Sequence, residues 1–349
     1  MGKTAVFVLS TLQQITPVEG VCSCIVLVHT RELAFQIEKE FQRFAKGTGC
    51  TCEVFYGGVN IKQDFAKLAV AVPNIIVGTP GRIRDLIVER KKLDVSKVKH
   101  FILDECDELL TELKMRQDVQ DIFKSTPVEK QVMMFSATLD KEIRPLCRKF
   151  CLSGSPMEIF LDDNSKLTLH GLMQYYVKLD ENQKTKKLMD ILDQVDFNQV
   201  VIFVSNKDRA FQLNKLLEDN NFPSVCIHGN PMKQEQRIER FTAFKAFKYR
   251  VLVATDLFGR GVDIEKINVV INYDFTDDPD QYLHRVGRAG RFGTKGLAIS
   301  FIAPPVTGKD GEEVQNDQKV LDIVQSRFSC QVPPLPNSID AASYQSAYK

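Results

Sequence analysis

The sequence predicts an α/β chain made of two similar halves, each a parallel sheet with helices on both faces. Three observations predict it. Short apolar runs alternate with amphipathic stretches from start to end, and strand–helix–strand alternation means parallel strands joined by crossover helices. The alternation pauses once, at residues 152–171, where Ser-Gly-Ser-Pro and Asp-Asp-Asn-Ser punctuate the chain, and then resumes. A length of 349 residues with 44% hydrophobic content suffices for two cores of ordinary size. This reading places a first domain at 1–161, a linker at 162–170, a second domain at 171–332 and a tail at 333–349.

In the first half, Cys24–Val28, Glu53–Tyr56, Asn74–Val77, Phe101–Leu103 and Val132–Phe135 read as strands. Over Glu32–Phe44, Leu33, Ile37, Phe41 and Phe44 recur at helical spacing, and Gly47 follows as a stop. In the second half, Val200–Val204, Ser224–Ile227, Val251–Ala254, Val269–Asn272 and Leu297–Ile302 read as strands. Lys186–Val195, Arg209–Asn220, Gln234–Phe247 and Pro279–Val286 read as helices. Pro304–Asn316 is polar and reads as a surface loop before a last helix near Asp317–Phe328. After Cys330 the chain shows no periodicity.

Composition excludes more than it indicates. The net charge is +1, so no global basic field draws in a nucleic acid, and any RNA contact must be a local patch. No apolar run is long enough to span a bilayer and no signal peptide is evident, so a soluble intracellular protein is expected, with no membrane partner. Nine cysteines scattered through apolar segments suggest buried thiols in a reducing compartment. Cys22-x-Cys24 and Cys50-x-Cys52 have the wrong spacing for a zinc knuckle and no nearby His, so zinc is not expected. Each pair is expected to straddle the two faces of a strand.

Several short motifs carry chemistry. Gly2-Lys3-Thr4 opens an apolar helix-like run. Gly-Lys-Thr before a helix is the end of a P-loop, where Lys reaches phosphate, Thr binds Mg²⁺ and the helix N-terminus favours an anion. Alone the tetrapeptide Met-Gly-Lys-Thr is weak. Phe101-Ile-Leu-Asp-Glu-Cys-Asp107 is stronger, because an apolar strand ending in Asp-Glu sets acids at the sheet's carboxyl edge, where such folds bind ligands. Asp104 would hold Mg²⁺ and Glu105 would orient and deprotonate water; a solvated strand end is the bland alternative. Tyr282–Arg291 sets basic side chains around two glycines, so Arg288 and Arg291 could act as arginine fingers or simply form a basic helix end. Thr255-Asp256 and Gly259-Arg-Gly-Val-Asp263 follow a strand, as does Ser136-Ala-Thr138, whose hydroxyls could be no more than turn caps. Arg90-Lys-Lys92 is too short for a nuclear-localisation cluster.

Taken together, Lys3-Thr4, Thr30-Arg-Glu-Leu-Ala34, Thr79-Pro-Gly-Arg82, Asp104–Asp107, Ser136–Thr138, Arg260-Gly-Val-Asp263 and His284–Arg291 occur in the order and spacing of the DEAD-box ATP-dependent RNA helicases. The chain resembles that family almost throughout. The Cys of Asp-Glu-Cys-Asp, Gln131–Leu139, Lys166–Gly171, Tyr175–Leu179 and Arg291–Gly296 resemble its DECD-box subfamily, which acts in nuclear pre-mRNA splicing and mRNA export. The resemblance implies two RecA-like domains that clamp ATP and single-stranded or short duplex RNA. It implies that Gly2, Lys3 and Thr4 hold phosphate, that Thr4 and Asp104 serve Mg²⁺, and that Glu105 serves the water. Asp263 would approach the ribose, and Arg288 and Arg291 would complete the catalytic site. Asp107, Ser136, Thr138 and His284 would couple hydrolysis to domain closure. Arg31, Gly58, Thr79, Gly81 and Arg82 in the first domain would contact RNA, with Gln234, Arg237 and Thr255 in the second. Spliceosomal or mRNA-export adaptor proteins are the implied partners. The nucleus, with the cytoplasm as a second site, is the implied location.

The departure from the family lies ahead of Gly2. Family members carry an adenine-reading aromatic and Gln, a central strand and the first half of the P-loop there. The first domain is therefore expected to be incomplete at its N-terminus, with its sheet short of a central strand and buried backbone groups unpaired at ~1–3 kcal/mol each. Three explanations compete, a start read too late, a true short isoform and a degenerate copy, and the intact downstream motifs favour the first. Two function classes follow: an RNA-stimulated ATPase and helicase, or a catalytically inactive RNA- or protein-binding remnant. A DNA helicase fits less well, because Thr79–Arg82 and Asp104–Asp107 match the RNA family.

Overall fold

Runs of fully buried apolar residues can only sit at the centre of a sheet covered on both faces, and the computed structural model places them there. It describes residues 2–139, 142–151, 156–160, 171–229, 232–256, 264–290, 294–307 and 313–345. The chain divides into two units, residues 1–158 and 159–349. The expected linker at 162–170 lies outside the described residues.

The first unit runs α1 (Lys3–Gln14), β1 (Cys24–Leu27), α2 (Arg31–Phe44), β2 (Cys52–Phe55), α3 (Ile61–Val70), β3 (Ile75–Gly78), α4 (Pro80–Arg84) and a π-helical turn over Asp85–Glu89. It continues with β4 (His100–Asp104), α5 (Cys106–Thr111), α6 (Leu113–Ser125), β5 (Gln131–Phe135) and α7 (Arg144–Phe150). The strands form one parallel sheet in the order β2-β3-β1-β4-β5. Every neighbouring pair in this order is hydrogen-bonded, and β5 stands at one edge of the described sheet. The half-exposed strand is β5 at the edge, whereas β1, β3 and β4 are buried throughout.

Local sequence explains the helix placement. In α2 the Thr30 hydroxyl accepts the Leu33 N–H, which caps an orphan donor. Leu33, Ile37 and Phe41 then fall on one buried face, each contributing roughly 1.5–3 kcal/mol by burial. Phe44, expected on that face, is 36% exposed with the Arg43 guanidinium over its ring. In α1, Phe7 packs on Phe41 and Phe135, which fastens this helix over α2 and β5. One core holds Phe7, Val26, Ile37 and Val77, and the other holds Leu27, Ile76, Leu103 and Leu109. Cys22 and Cys24 belong to different cores, but Cys50 and Cys52 pack against the same one. The expectation that each cysteine pair straddles a strand is thus corrected for the second pair: Cys50 lies ahead of β2 and packs against the same core as Cys52.

The second unit runs β6 (Leu172–Lys178), α8 (Glu181–Gln194), β7 (Gln199–Phe203), α9 (Lys207–Asp219), β8 (Ser224–Ile227), α10 (Gln234–Lys245), β9 (Val251–Ala254) and β10 (Ile267–Asn272). It ends with α11 (Pro279–Val286), β11 (Gly296–Ile302), the hairpin β12 (Val306–Thr307) and β13 (Glu313–Gln315), α12 (Asp317–Arg327) and α13 (Ala341–Tyr344). The parallel sheet has the order β6-β11-β10-β7-β9-β8. Helix α8 starts five residues earlier than periodicity predicts, because Asp180 and Gln183 form a capping box. The sequence reading did not identify β6, and it read a short hairpin as loop.

The aperiodic tail is also structured. Tyr176 of the edge strand β6 donates to Pro333 O at 3.0 Å and accepts from Leu335 N at 2.8 Å, so the tail covers an exposed edge. Tyr344 is 1% exposed, and its hydroxyl accepts the Asp196 N–H at 3.0 Å. Tyr344→Ala is expected to destabilise the second unit by ~3 kcal/mol, and Tyr344→Phe by about 1 kcal/mol. Urea unfolding curves of the two variants check this, and an unchanged midpoint for Tyr344→Ala would show that the tail is undocked.

Candidate functional site

Strand β4 delivers its acids by ending at Asp104, at the carboxyl edge of the sheet. Glu105 follows with φ 51° and ψ 53°, a left-handed conformation that costs an L-residue roughly 1–2 kcal/mol. This turn lets α5 begin at Cys106 and places the Glu105 carboxylate 3.2 Å from Lys3 Nζ, at the start of α1. Asp104 Oδ1 accepts the Glu105 N–H at 3.1 Å. Burial, then the Glu105 charge, pushes the Asp104 carboxyl up to about 7, against the opposing pull of Lys3. Asp107 accepts the Thr138 hydroxyl at 2.7 Å, and the Thr138 N–H donates to Ser136 Oγ at 3.0 Å. Burial and Glu105 raise the Asp107 carboxyl as well. Three carboxylates thus crowd around one ammonium, and this hard-oxygen, charge-excess set suits a divalent cation such as Mg²⁺. Gly2 holds φ 86° just ahead of α1, and Thr4 sits half-buried in that helix's first turn.

A second cluster lies at the carboxyl ends of β1, β2 and β3. Arg31 opens α2, Gly57-Gly58 follows β2, and Thr79 to Arg82 open α4. Gly58 has φ +87°, and a Cβ there would collide with the Arg31 guanidinium, so only glycine lets the arginine lie against this turn. The Thr79 N–H donates to Phe55 O at 3.2 Å, tying α4 to the end of β2. Arg82, expected to contact RNA, makes intramolecular contacts in this face. Its guanidinium pairs with Asp64 of α3 and donates to Val59 O at 2.7 Å.

In the second unit, Gln234 and Arg237 are buried in the first turns of α10. The Thr255 N–H donates to Ile227 O at 3.3 Å, just past β9. His284 and Arg288 are buried, and Arg288 Nε donates to His284 O at 2.9 Å. Asp263 and Arg291 lie outside the described residues. The sequence reading gave no role to Arg285, the fully buried residue between these motifs. Arg285 Nε donates to Asp256 Oδ1 at 2.5 Å and Nη1 to Asp274 O at 2.8 Å, with the guanidinium over Phe203. The pair joins the residue after Thr255 to the residue after His284. Opposite charges in the two motifs were the only sequence signal, and their separation of 29 residues hid the pairing. Asp274 also gathers Lys184 and Arg209. Burial works the other way, yet the Ser205 N–H and the Lys184 and Arg209 charges hold its carboxyl below the usual range.

Two parallel sheets with motif residues at their carboxyl edges, the first bearing a Lys–carboxylate cluster, define a tandem RecA-like helicase fold. Comparison with known proteins agrees. Residues 1–146 match the DEAD/DEAH box helicase family, and residues 183–293 match the helicase conserved C-terminal domain. The chain is 57% identical to the ATP-dependent RNA helicase uap56 of Schizosaccharomyces pombe, over 99% of this chain and 77% of that protein. It is 58% identical to DEAD-box ATP-dependent RNA helicase 15 of Arabidopsis thaliana, over 99% and 78%. The structure of S. cerevisiae Dbp5 bound to RNA and ADP BeF3 is similar at TM-score 0.83 and 27% identity, over 96% of this chain and 83% of that one. The chain belongs to the DEAD-box family of ATP-dependent RNA helicases and is an enzyme of that class.

The raised Asp104 carboxyl has a stability signature. Between the unfolded value near ~4 and about 7, the folded state binds a proton that the unfolded state lacks. Stability contributed by this group therefore falls as pH rises through that window, and the full penalty stands above about pH 7. Asp104→Asn is expected to stabilise the ligand-free chain by on the order of 2 kcal/mol at pH 8 and by little at pH 4. Melting curves at both pH values measure it; a variant less stable at pH 8 would refute the assignment.

Proposed function

We propose that this chain couples Mg²⁺-dependent ATP hydrolysis to RNA binding, and that it separates short duplexes and remodels RNA–protein complexes by ATP-driven closure of its two domains. The carrying observation is the cluster at the end of β4, where Lys3 meets Glu105 and Asp107 reaches Thr138 beside Ser136. Gly2, Lys3 and Thr4 at the head of α1 bind the phosphates, with the helix N-terminus adding its partial positive charge. Thr4 and Asp104 hold Mg²⁺, which when bound neutralises phosphate charge. Glu105 positions the attacking water and takes its proton. Asp263 approaches the ribose, and Arg288 and Arg291 stabilise charge on the departing phosphoryl group. The Asp107–Thr138–Ser136 chain connects the acid pair to the end of β5, so a change at the phosphates is felt there.

RNA lies along Arg31, Gly58, Thr79 and Gly81 in the first domain and Gln234, Arg237 and Thr255 in the second. Contacts from such residues go to phosphate and sugar, so sequence preference is small and the 2′-hydroxyl distinguishes RNA from DNA. The Dbp5 structure holding RNA and ADP BeF3 supports this pairing of ligands. A further Dbp5 structure bound to gle1 and ip6 supports a protein adaptor for this chain too. The Asp-Glu-Cys-Asp motif and the identity to uap56 support a role in pre-mRNA splicing and mRNA export, in the nucleus.

The test is ATP hydrolysis by the chain with and without single-stranded RNA, beside Glu105→Gln. Turnover stimulated by RNA and reduced at least ~100-fold in the variant is expected. No turnover in a folded chain would sink the enzymatic reading and leave a binding protein.

A further inference from the structure

We infer that Asp64, acting through Arg82, positions the Gly57-Gly58 turn against RNA, and that Arg82 is a brace within this face instead of a direct phosphate ligand. The inference rests on the reading of this face as the RNA-binding one. Arg82 Nη1 meets the Asp64 carboxylate and Nη2 donates to Val59 O at 2.7 Å. Both side chains are nearly buried, at 9% and 4% exposure, and each Nη of the guanidinium has a partner inside the protein. Val59 directly follows Gly58, whose left-handed backbone lies against Arg31. At the next residue, Asn60 Oδ1 accepts the Lys62 N–H at 3.0 Å and starts α3, the helix that carries Asp64. The residues that follow the turn are thereby held from two sides: the Asn60 cap joins them to α3, and Arg82, itself held by Asp64, joins them to α4. Arg31 and Gly58 then keep the spacing a phosphate–sugar backbone needs.

The two roles for Arg82 differ in sign. If Arg82 gripped phosphate, Asp64 would only neutralise it, and Asp64→Asn would free a cation and tighten RNA binding. If Asp64 is a positioning residue, the same change weakens binding although it removes a negative charge beside a polyanion. The measurement is fluorescence anisotropy of a labelled oligouridylate with the full chain, over a salt series. Asp64→Asn is expected to weaken binding about tenfold, with Arg82→Ala adding little in the double variant. The slope of log K against log salt is expected to stay unchanged in Arg82→Ala. Tighter binding by Asp64→Asn, or a slope reduced by about one in Arg82→Ala, overturns the proposal.

Amide hydrogen exchange without RNA reads the brace separately. Gly57–Val59 should exchange faster in Asp64→Asn while the Cys24–Leu27 amides of β1 stay protected, which also shows that the variant folds. Unchanged exchange at the turn overturns the brace whether or not RNA binds. Failure of the unaltered chain to bind RNA, with exchange accelerated as expected, would instead overturn the RNA reading of this face.

Discussion

Parallel strand pairing is the constraint on which the rest of this protein depends. Parallel neighbours must be joined by crossovers, so every strand in a sheet ends at the same edge and every following loop opens there. In the first unit this brings the residues after β1, β2 and β3 together as one polar face, and puts the acids of β4 beside the hydroxyls that follow β5. In the second unit it places Asp256 after β9 and Asp274 after β10, within reach of Arg285 on α11. None of these groups is close in sequence. They meet because the backbone ladder leaves them no other edge.

That edge carries costs the core must offset. Glu105 sits in a left-handed conformation, and the Asp104, Glu105 and Asp107 carboxylates share a largely buried space with Lys3 as their counter-charge in α1. Such strain and charge crowding persist where surrounding structure over-determines them. Here the fully buried strands β1 and β4 on one side and Phe7 packed on Phe41 and Phe135 on the other hold the pieces in place. A site kept electrostatically unsatisfied in the ligand-free protein is a site that gains when phosphate and a cation arrive together.

Much of this was legible in the chain alone. Ten of the strands announced themselves as short apolar runs because strands buried on both faces need no alternation. The acids after β4 and the basic run of α11 were readable because motif spacing fixes which loop carries them. The strand β6 was not readable, since Tyr175, Tyr176 and their neighbours are only half-buried at an edge and mix apolar with polar residues. The tail was not readable either: its docking rests on backbone bonds to Tyr176 and on one buried ring, Tyr344, which leave no periodic trace.

By itself the sequence determined the class of fold, the order of the motifs and the kinds of side chain available for phosphate, metal and RNA. These are properties of local pattern and composition. Only the tertiary structure decided which charges meet. Arg82 faces Asp64 and Val59 because α3 and α4 converge at adjacent strand ends. Arg285 faces Asp256 because α11 packs on β10 while the residues after β9 emerge at the same sheet edge. An arginine in a motif reads the same whether it points at solvent, at a ligand or at a buried carboxylate. The choice is made by packing, since a cation withdrawn from water must settle on whatever acceptors the fold brings within reach.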